Sequence, residues 1–192
     1  MCRFMSWDIF HHHALEHFEY YWRLDSDSFL HSKLHRDPIE TLALSGATYG
    51  FVLDSTDPSY AVFGLWNTTK AFLVDFFGET RGRAMADRFL AAEGRDYGNK
   101  DGGSVFYTNF EISKLQFWRT EPYVSFFRAV ERAGGVYQHR WGDAALHYLA
   151  VRLFVDPSKV IRFADVPYWH QYSVYAPSKG RIIQMATLDP DS

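Results

Sequence analysis

The chain has 192 residues, 47% hydrophobic, 18% aromatic and 22% charged, which is enough apolar material for one substantial core and one domain. A formal net charge of −3, a sequence pI near 6.3 and the lack of any Lys/Arg-rich run exclude the basic surplus that sequence-independent nucleic-acid binding requires. Cys2 is the single cysteine, so an internal disulfide and a cysteine-built zinc site are both excluded. No apolar run approaches the roughly 20 residues of a membrane helix, no secretory leader pattern follows Met1, and the chain reads as soluble.

From Met1 onward, Phe4, Trp7, Phe10, Ala14 and Phe18 recur at helical spacing and predict an N-terminal helix. "FEYYWRL" predicts a strand, closed by the turn-forming Asp25, Ser26 and Asp27. "HRDPIETLALSG" predicts a short helix with Pro38 near its start and Gly46 as its stop, and "ATYGFVL" (47–53) a second strand. "LWNTTKAFLVDFFG" and "RGRAMADRFLAAEG" predict two helices ended by Gly78 and Gly94. "RDYGNKDGGS" has the composition of a mobile surface loop, and "VFYTNFEI" is a third strand. "TEPYVSFFRAVERAGG" predicts a helix with Thr120 as cap, and "GDAALHYLAVRLFV" another opened by Asp143. "KVIRF" predicts a strand; from Tyr168 the chain reads as irregular, with 178–192 as a tail. Strands alternating with helices indicate an α/β or mixed-sheet domain, in which ligands sit beyond the carboxyl ends of strands.

Asp25 and Asp27 stand at such a strand end, as does Glu111 near the end of "VFYTNFEI". Two carboxylates at i and i+2 are hard oxygen donors suited to Mg²⁺ or Mn²⁺ and through it to a diphosphate, and they equally suit a solvated Asx turn. Alternation turns Glu111 away from Phe110 and Ile112, leaving it either exposed or buried beside a partner. Asp143 suits a helix start or a catalytic role, and the two are compatible. His170, in "VPYWHQYS", is a candidate metal ligand as well as a structural histidine. His11, His12 and His13 fan out around a helix axis and cannot share one ion, so they read as surface. Asn67-Thr68-Thr69 is an N-glycosylation sequon.

"MCRFMSWDIF", "FEYYWRLDSD", "TYGF", "LWNTTKAFL", "FYTNFEI", "FFRAVERAGGVYQHRWGDAALHYLAVRLF" and "VPYWH" follow one another in an order that resembles the fungal glycolipid and glycoprotein α-1,2-mannosyltransferases, glycosyltransferase family 15. The resemblance runs from Met1 to about Pro177, and "NFEI" with "RWGDA" at their separation are its specific parts. It implies a GT-A-like α/β fold, a mixed sheet flanked by helices. It also implies Mn²⁺, GDP-mannose as donor, and retaining transfer of mannose to mannose-terminated N- and O-linked glycans of cell-wall glycoproteins. Family members are type II Golgi membrane proteins acting in the lumen. By the same resemblance Glu111 takes the place of the proposed nucleophile, Asp143 that of a second active-site carboxylate, and His170 that of a metal-ligand histidine.

Asp25 and Asp27 correspond to the ends of the family's Glu-Pro-Asp metal motif, with Asp25 for Glu and Ser26 for Pro. "VFYTNFEI" lacks the family's preceding histidine, and the usual luminal cysteines are missing. The resemblance implies that the family's first βαβ nucleotide-binding portion lies ahead of "MCRF". Residues 1–192 are thus expected to form a single partial catalytic domain, and its membrane contact would run through an anchor absent from this chain. The alternative is a catalytically inactive relative that binds a glycan or a partner protein.

Overall fold

The computed structural model describes residues 1–170 and, beyond them, the strands Ser173–Ala176 and Arg181–Gln184. Where one N-terminal helix is expected, a five-residue helix α1 (Cys2–Ser6) gives way to 3-10 turns at Asp8–His11 and His13–Leu15. Trp7 leaves helical conformation at φ −144°, and distant side chains take over the carbonyls. The Arg119 guanidinium donates to Phe10 O at 2.8 Å and to Leu15 O at 3.0 Å, and the Tyr123 hydroxyl donates to Ser6 O. Phe10 is buried while Phe4 and Phe18 remain exposed, so the spacing of these aromatics does not mark one core face.

Strands β1 (Tyr20–Leu24) and β2 (Ser28–Leu30) flank the acidic turn, which closes through Ser28 N–H on Asp25 O at 2.9 Å. Helix α2 (Pro38–Leu44) starts as its sequence dictates: Asp37 Oδ1 accepts from the N–H groups of Ile39 and Glu40, and Pro38 fills the first helical position. Strands β3 (Tyr49–Phe51) and β4 (Asp54–Asp57) precede a helical hairpin, α3 (Leu65–Phe77) and α4 (Glu79–Glu93), ended by Gly78 and Gly94. The segment expected to be a mobile loop is folded against the core. Tyr97 is buried and its hydroxyl donates to Ser104 O at 3.1 Å, while a Cβ at Gly103 would sit 2.6 Å from the Tyr97 ring. Its glycines serve close packing.

The expected third strand is two strands, β5 (Gly103–Phe106) and β6 (Phe110–Lys114), separated by a turn at residues 107–109. The helices α5 (Leu115–Trp118), α6 (Glu121–Ala133), α7 (Gly135–Gln138) and α8 (Asp143–Phe154) follow. Thr120 stands at the cap position of α6, but its hydroxyl donates backward to Phe117 O at 2.7 Å. After β7 (Val160–Arg162), a strand β8 (Tyr168–His170) occupies chain expected to be irregular. It is extended by β9 (Ser173–Ala176) and β10 (Arg181–Gln184). β10 falls within the expected tail, whose other residues lie outside the described ones.

The central sheet has the order β1-β6-β3-β7, antiparallel except for the parallel β3/β7 pair, and a second sheet has the order β10-β9-β8-β2. Alternation along β6 sends Phe110 and Ile112 to a core shared with Leu42, Phe163 and Tyr168. Glu111 and Ser113 point to the opposite side, toward the larger core built by α3, α4, α6 and α8. The expected α/β fold, a mixed sheet flanked by helices, is the one observed.

The α3/α4 hairpin is held tight at Gly82, where a Cβ would come within 2.4 Å of the Leu73 carbonyl oxygen. Because that obstacle is backbone, Gly82→Ala must push the helices apart and is expected to cost about 1–3 kcal/mol. Urea unfolding measures it; an unchanged midpoint would contradict the contact.

Candidate functional site

The pairing of β2 with β8 sets Ser28 opposite His170, and this register carries the imidazole to the acidic turn. Asp25, Asp27 and His170 each offer one ligand atom, all within 4.8 Å of one another. His170 Nε2 lies 3.0 Å from Asp27 Oδ1, and its Nδ1 lies 2.9 Å from the Tyr107 hydroxyl. The ring is thereby oriented with Nε2 toward the carboxylates, as a second partner orients a metal-binding histidine. Two carboxylates and one imidazole on a half-open corner offer a divalent cation a mixed donor set, in which the carboxylates are the oxygen donors that suit Mn²⁺. Asp27 is half-exposed and His170 buried, so the corner is open on one side only.

Arg23 joins this corner to Asp143. Its Nε donates to Asp25 Oδ1 at 3.0 Å, and its Nη1 makes a short hydrogen bond to Asp143 Oδ2. The Thr108 hydroxyl donates to the same Asp143 oxygen at 2.8 Å. Gly142 occupies the cap position of α8, so the Asp143 carboxylate is spent on Arg23 and Thr108 in place of capping. Burial, the largest single influence, raises the tendency of Asp143 to hold its proton, but the charges of Arg23 and His147 and the hydrogen bonds from Arg23 and Thr108 together outweigh it and keep the carboxyl below its ordinary range.

Glu111 lies one layer deeper, paired across the strands with Arg23 and only 1% exposed. Tyr21 OH donates to Oε1 at 2.7 Å, Tyr49 OH donates to Oε2 at 2.7 Å, and His147 Nδ1 approaches Oε2 at 3.0 Å. Burial, and then the Glu111 charge, drive both tyrosine hydroxyls well above their ordinary pKa, so they remain donors. Of the two readings open for Glu111, buried with partners is the one observed.

The structure thus gathers all five candidates: Asp25, Asp27 and His170 at the corner, Asp143 beside it through Arg23, and Glu111 below. The sequence reading missed Arg23, Tyr107, Thr108, Tyr21, Tyr49 and His147. Signals existed for four of them. His147 follows Asp143 by four residues and so shares its helix face, and Arg23 shares a strand face with Tyr21. The Thr108-Asn109 pair, favourable for turns, signals the break that aims Tyr107 and Thr108 at the site.

The α/β sheet defines the class, a GT-A-like fold, with a two-carboxylate, one-imidazole corner beyond a strand end as its candidate divalent-metal site. The family model described as "Glycolipid 2-alpha-mannosyltransferase" matches residues 1–190, and the chain belongs to that family. It is 34% identical over 181 residues to O-glycoside alpha-1,2-mannosyltransferase homolog 2 of Schizosaccharomyces pombe, covering 94% of this chain and 48% of that protein. Among solved structures, core-mannan synthase A from Aspergillus fumigatus in its Mn/GDP form superposes with a TM-score of 0.78 at 30% identity, over 91% of this chain and 48% of that one. The mannosyltransferase Ktr4p from S. cerevisiae in complex with GDP gives a TM-score of 0.77 at 30% identity, over 92% and 46%. The chain spans about half the length of the curated relatives it matches.

Arg23 serves a part-exposed Asp25 and a largely covered Asp143, so Arg23→Met should destabilise the fold by about 3 kcal/mol at neutral pH by stranding Asp143. A carboxylate held below its ordinary range stabilises the fold above that range and loses this contribution as pH falls through its folded value. The penalty in the variant should therefore shrink on acidification. Urea midpoints for wild type and variant at pH 7 and pH 4 check this; a gap that widens at the lower pH would contradict the pairing.

Proposed function

We propose that this chain is the metal-binding and catalytic part of a retaining α-1,2-mannosyltransferase, which moves mannose from GDP-mannose to mannose-terminated glycans of glycoproteins in the Golgi lumen. The observation that carries the reading is the convergence of Asp25, Asp27 and His170, from strands far apart in sequence, in a chain of this family. Among the described residues no helix is long and apolar enough to cross a membrane. Any membrane contact is assigned to an anchor outside this chain.

Asp25, Asp27 and His170 would hold Mn²⁺, which supplies neutralising charge to the diphosphate as it departs. Arg23 fixes Asp25 and Asp143 in one plane of charge beside that corner. Retention follows either from attack by a carboxylate on the far face or from a front-face route through an oxocarbenium-like centre. The burial of Glu111 and the three partners on its oxygens support the second. In it, the bond from the sugar C1 to the diphosphate oxygen breaks as the acceptor oxygen bonds to C1 on the same face. The acceptor proton passes to the departing phosphate oxygen. Glu111 contributes a fixed negative charge that steadies the positive sugar centre, held in place by Tyr21, Tyr49 and His147. Asp143, anionic at neutral pH and joined to the corner through Arg23, orients the acceptor hydroxyl.

Calorimetry tests the reading: GDP is expected to bind with micromolar affinity only when Mn²⁺ is present, and His170→Ala should weaken this roughly tenfold or more. Mannoside binding without any GDP·Mn²⁺ binding would show a glycan-binding module in place of an enzyme. In the whole protein, Glu111→Gln should lower kcat by about a hundredfold or more while leaving GDP affinity unchanged. Wild-type turnover in that variant would remove Glu111 from the mechanism.

A further inference from the structure

We infer that Asn67 is an N-glycosylation site of this protein, filled on the growing chain before helix α3 is packed into the core. The inference rests on the luminal location proposed above. The Asn67-Thr68-Thr69 sequon lies in the first turn of α3, a place in the fold that no part of the cation corner uses. Asn67 is exposed, between the buried Trp66 and the buried Thr69. Beside it runs a shallow groove lined by Lys70, Asp96, Tyr97, Gly98 and Asn99. The Lys70, Asp96 and Asn99 side chains along this groove are polar and exposed, so the folded protein accommodates a first sugar there without moving a core residue.

The folded protein is a poor acceptor, however. A sequon is read through the hydroxyl of its third residue, and Thr69 is 0% exposed with its hydroxyl donated to Leu65 O at 2.9 Å. The reaction therefore belongs to the unfolded chain, and the order of synthesis provides the interval. Helix α3 has 13 residues, a length at which an isolated helix is marginal in water. The rings that lock its inner face come later: Phe72 packs on Phe126 at 5.5 Å and on Phe154 at 6.1 Å between ring centroids. At ~5–20 residues per second, these partners emerge several seconds after Thr69. In that interval Asn67 Nδ2 attacks C1 of a lipid-diphosphate-linked oligosaccharide. The C1–N bond forms as the C1–O bond to the diphosphate breaks, the amide releases one proton, and the lipid diphosphate leaves with the bonding electrons.

The test is the whole natural polypeptide made in a fungal host. Peptide N-glycosidase in H₂¹⁸O should convert Asn67 to ¹⁸O-labelled aspartate in the tryptic peptide ending at Lys70, and Asn67→Gln should abolish the enzyme-dependent shift in gel mobility. Full-length protein translated in the presence of microsomes should be modified, whereas folded, unglycosylated protein added to detergent-opened microsomes, which still modify a short sequon peptide, should not. Protease protection of the protein inside membranes together with an unmodified Asn67 peptide would overturn the inference and leave the luminal reading standing. A protein that is digested from outside would overturn both. Equal modification of nascent and folded protein would overturn the timing.

Discussion

A single buried carboxylate organises this domain. Glu111 sits in the middle of the central sheet, and removing an ionised group from water is affordable only when it is paired and hydrogen-bonded. Its partners come from three separate elements: Tyr21 on β1, Tyr49 on β3 and His147 on α8. Arg23, across the strand pair, contributes the opposing charge. The same contacts that satisfy the charge fasten β1 and β3 to the two sides of β6 and dock α8 onto the sheet. A missing partner leaves a buried lone pair unanswered, so the geometry of the site and the arrangement of the sheet stand or fall together.

From that anchor the polar side chains spread outward in order of exposure. Glu111 is closed off, Arg23 and Asp143 are largely covered, Asp25 is more open, and Asp27 is half-exposed. Charge alternates along the same path, from Glu111 through Arg23 to Asp143 and Asp25. Such a gradient suits chemistry in which an anionic leaving group meets a cation at the rim while positive charge develops on a sugar deeper in. The deeper groups are rigid because they are buried, and a fixed charge needs no reorganisation as the reaction proceeds.

Much of this was legible in the sequence where the local signal and the tertiary demand agree. Asp37-Pro38 opens α2, glycines close α3, α4 and α6, and Asp25-Ser26-Asp27 turns between two strands, as residue type dictates. Misreadings arose where distant contacts override local preference. The N-terminal aromatics repeat at helical spacing, yet Arg119 and Tyr123, more than a hundred residues away, claim the carbonyls and break the helix. The glycine-rich 95–104 segment reads as mobile because the burial of its Tyr97 comes from rings elsewhere in the chain, Trp66, Phe89 and Tyr148. The site divides in the same way. Its acids and His170 were visible by type and family order, while Arg23, Tyr107 and Thr108 gain meaning only from strand register and from the 107–109 turn.

The pairing of β2 with β8 has a temporal side. It joins a ligand at position 27 to one at position 170, a loop closure that spans most of the chain. Contacts of such separation carry the full entropy of closing the loop and form after the local ones. A chain still being made holds both aspartates early, yet has no third ligand until its last strands are in place. The proposed competence to hold a divalent ion is therefore conferred only when this long-range pairing forms. A copy in which β8 has not paired with β2 lacks the third member of the proposed cation corner, so that corner also reports that this long-range pairing has formed.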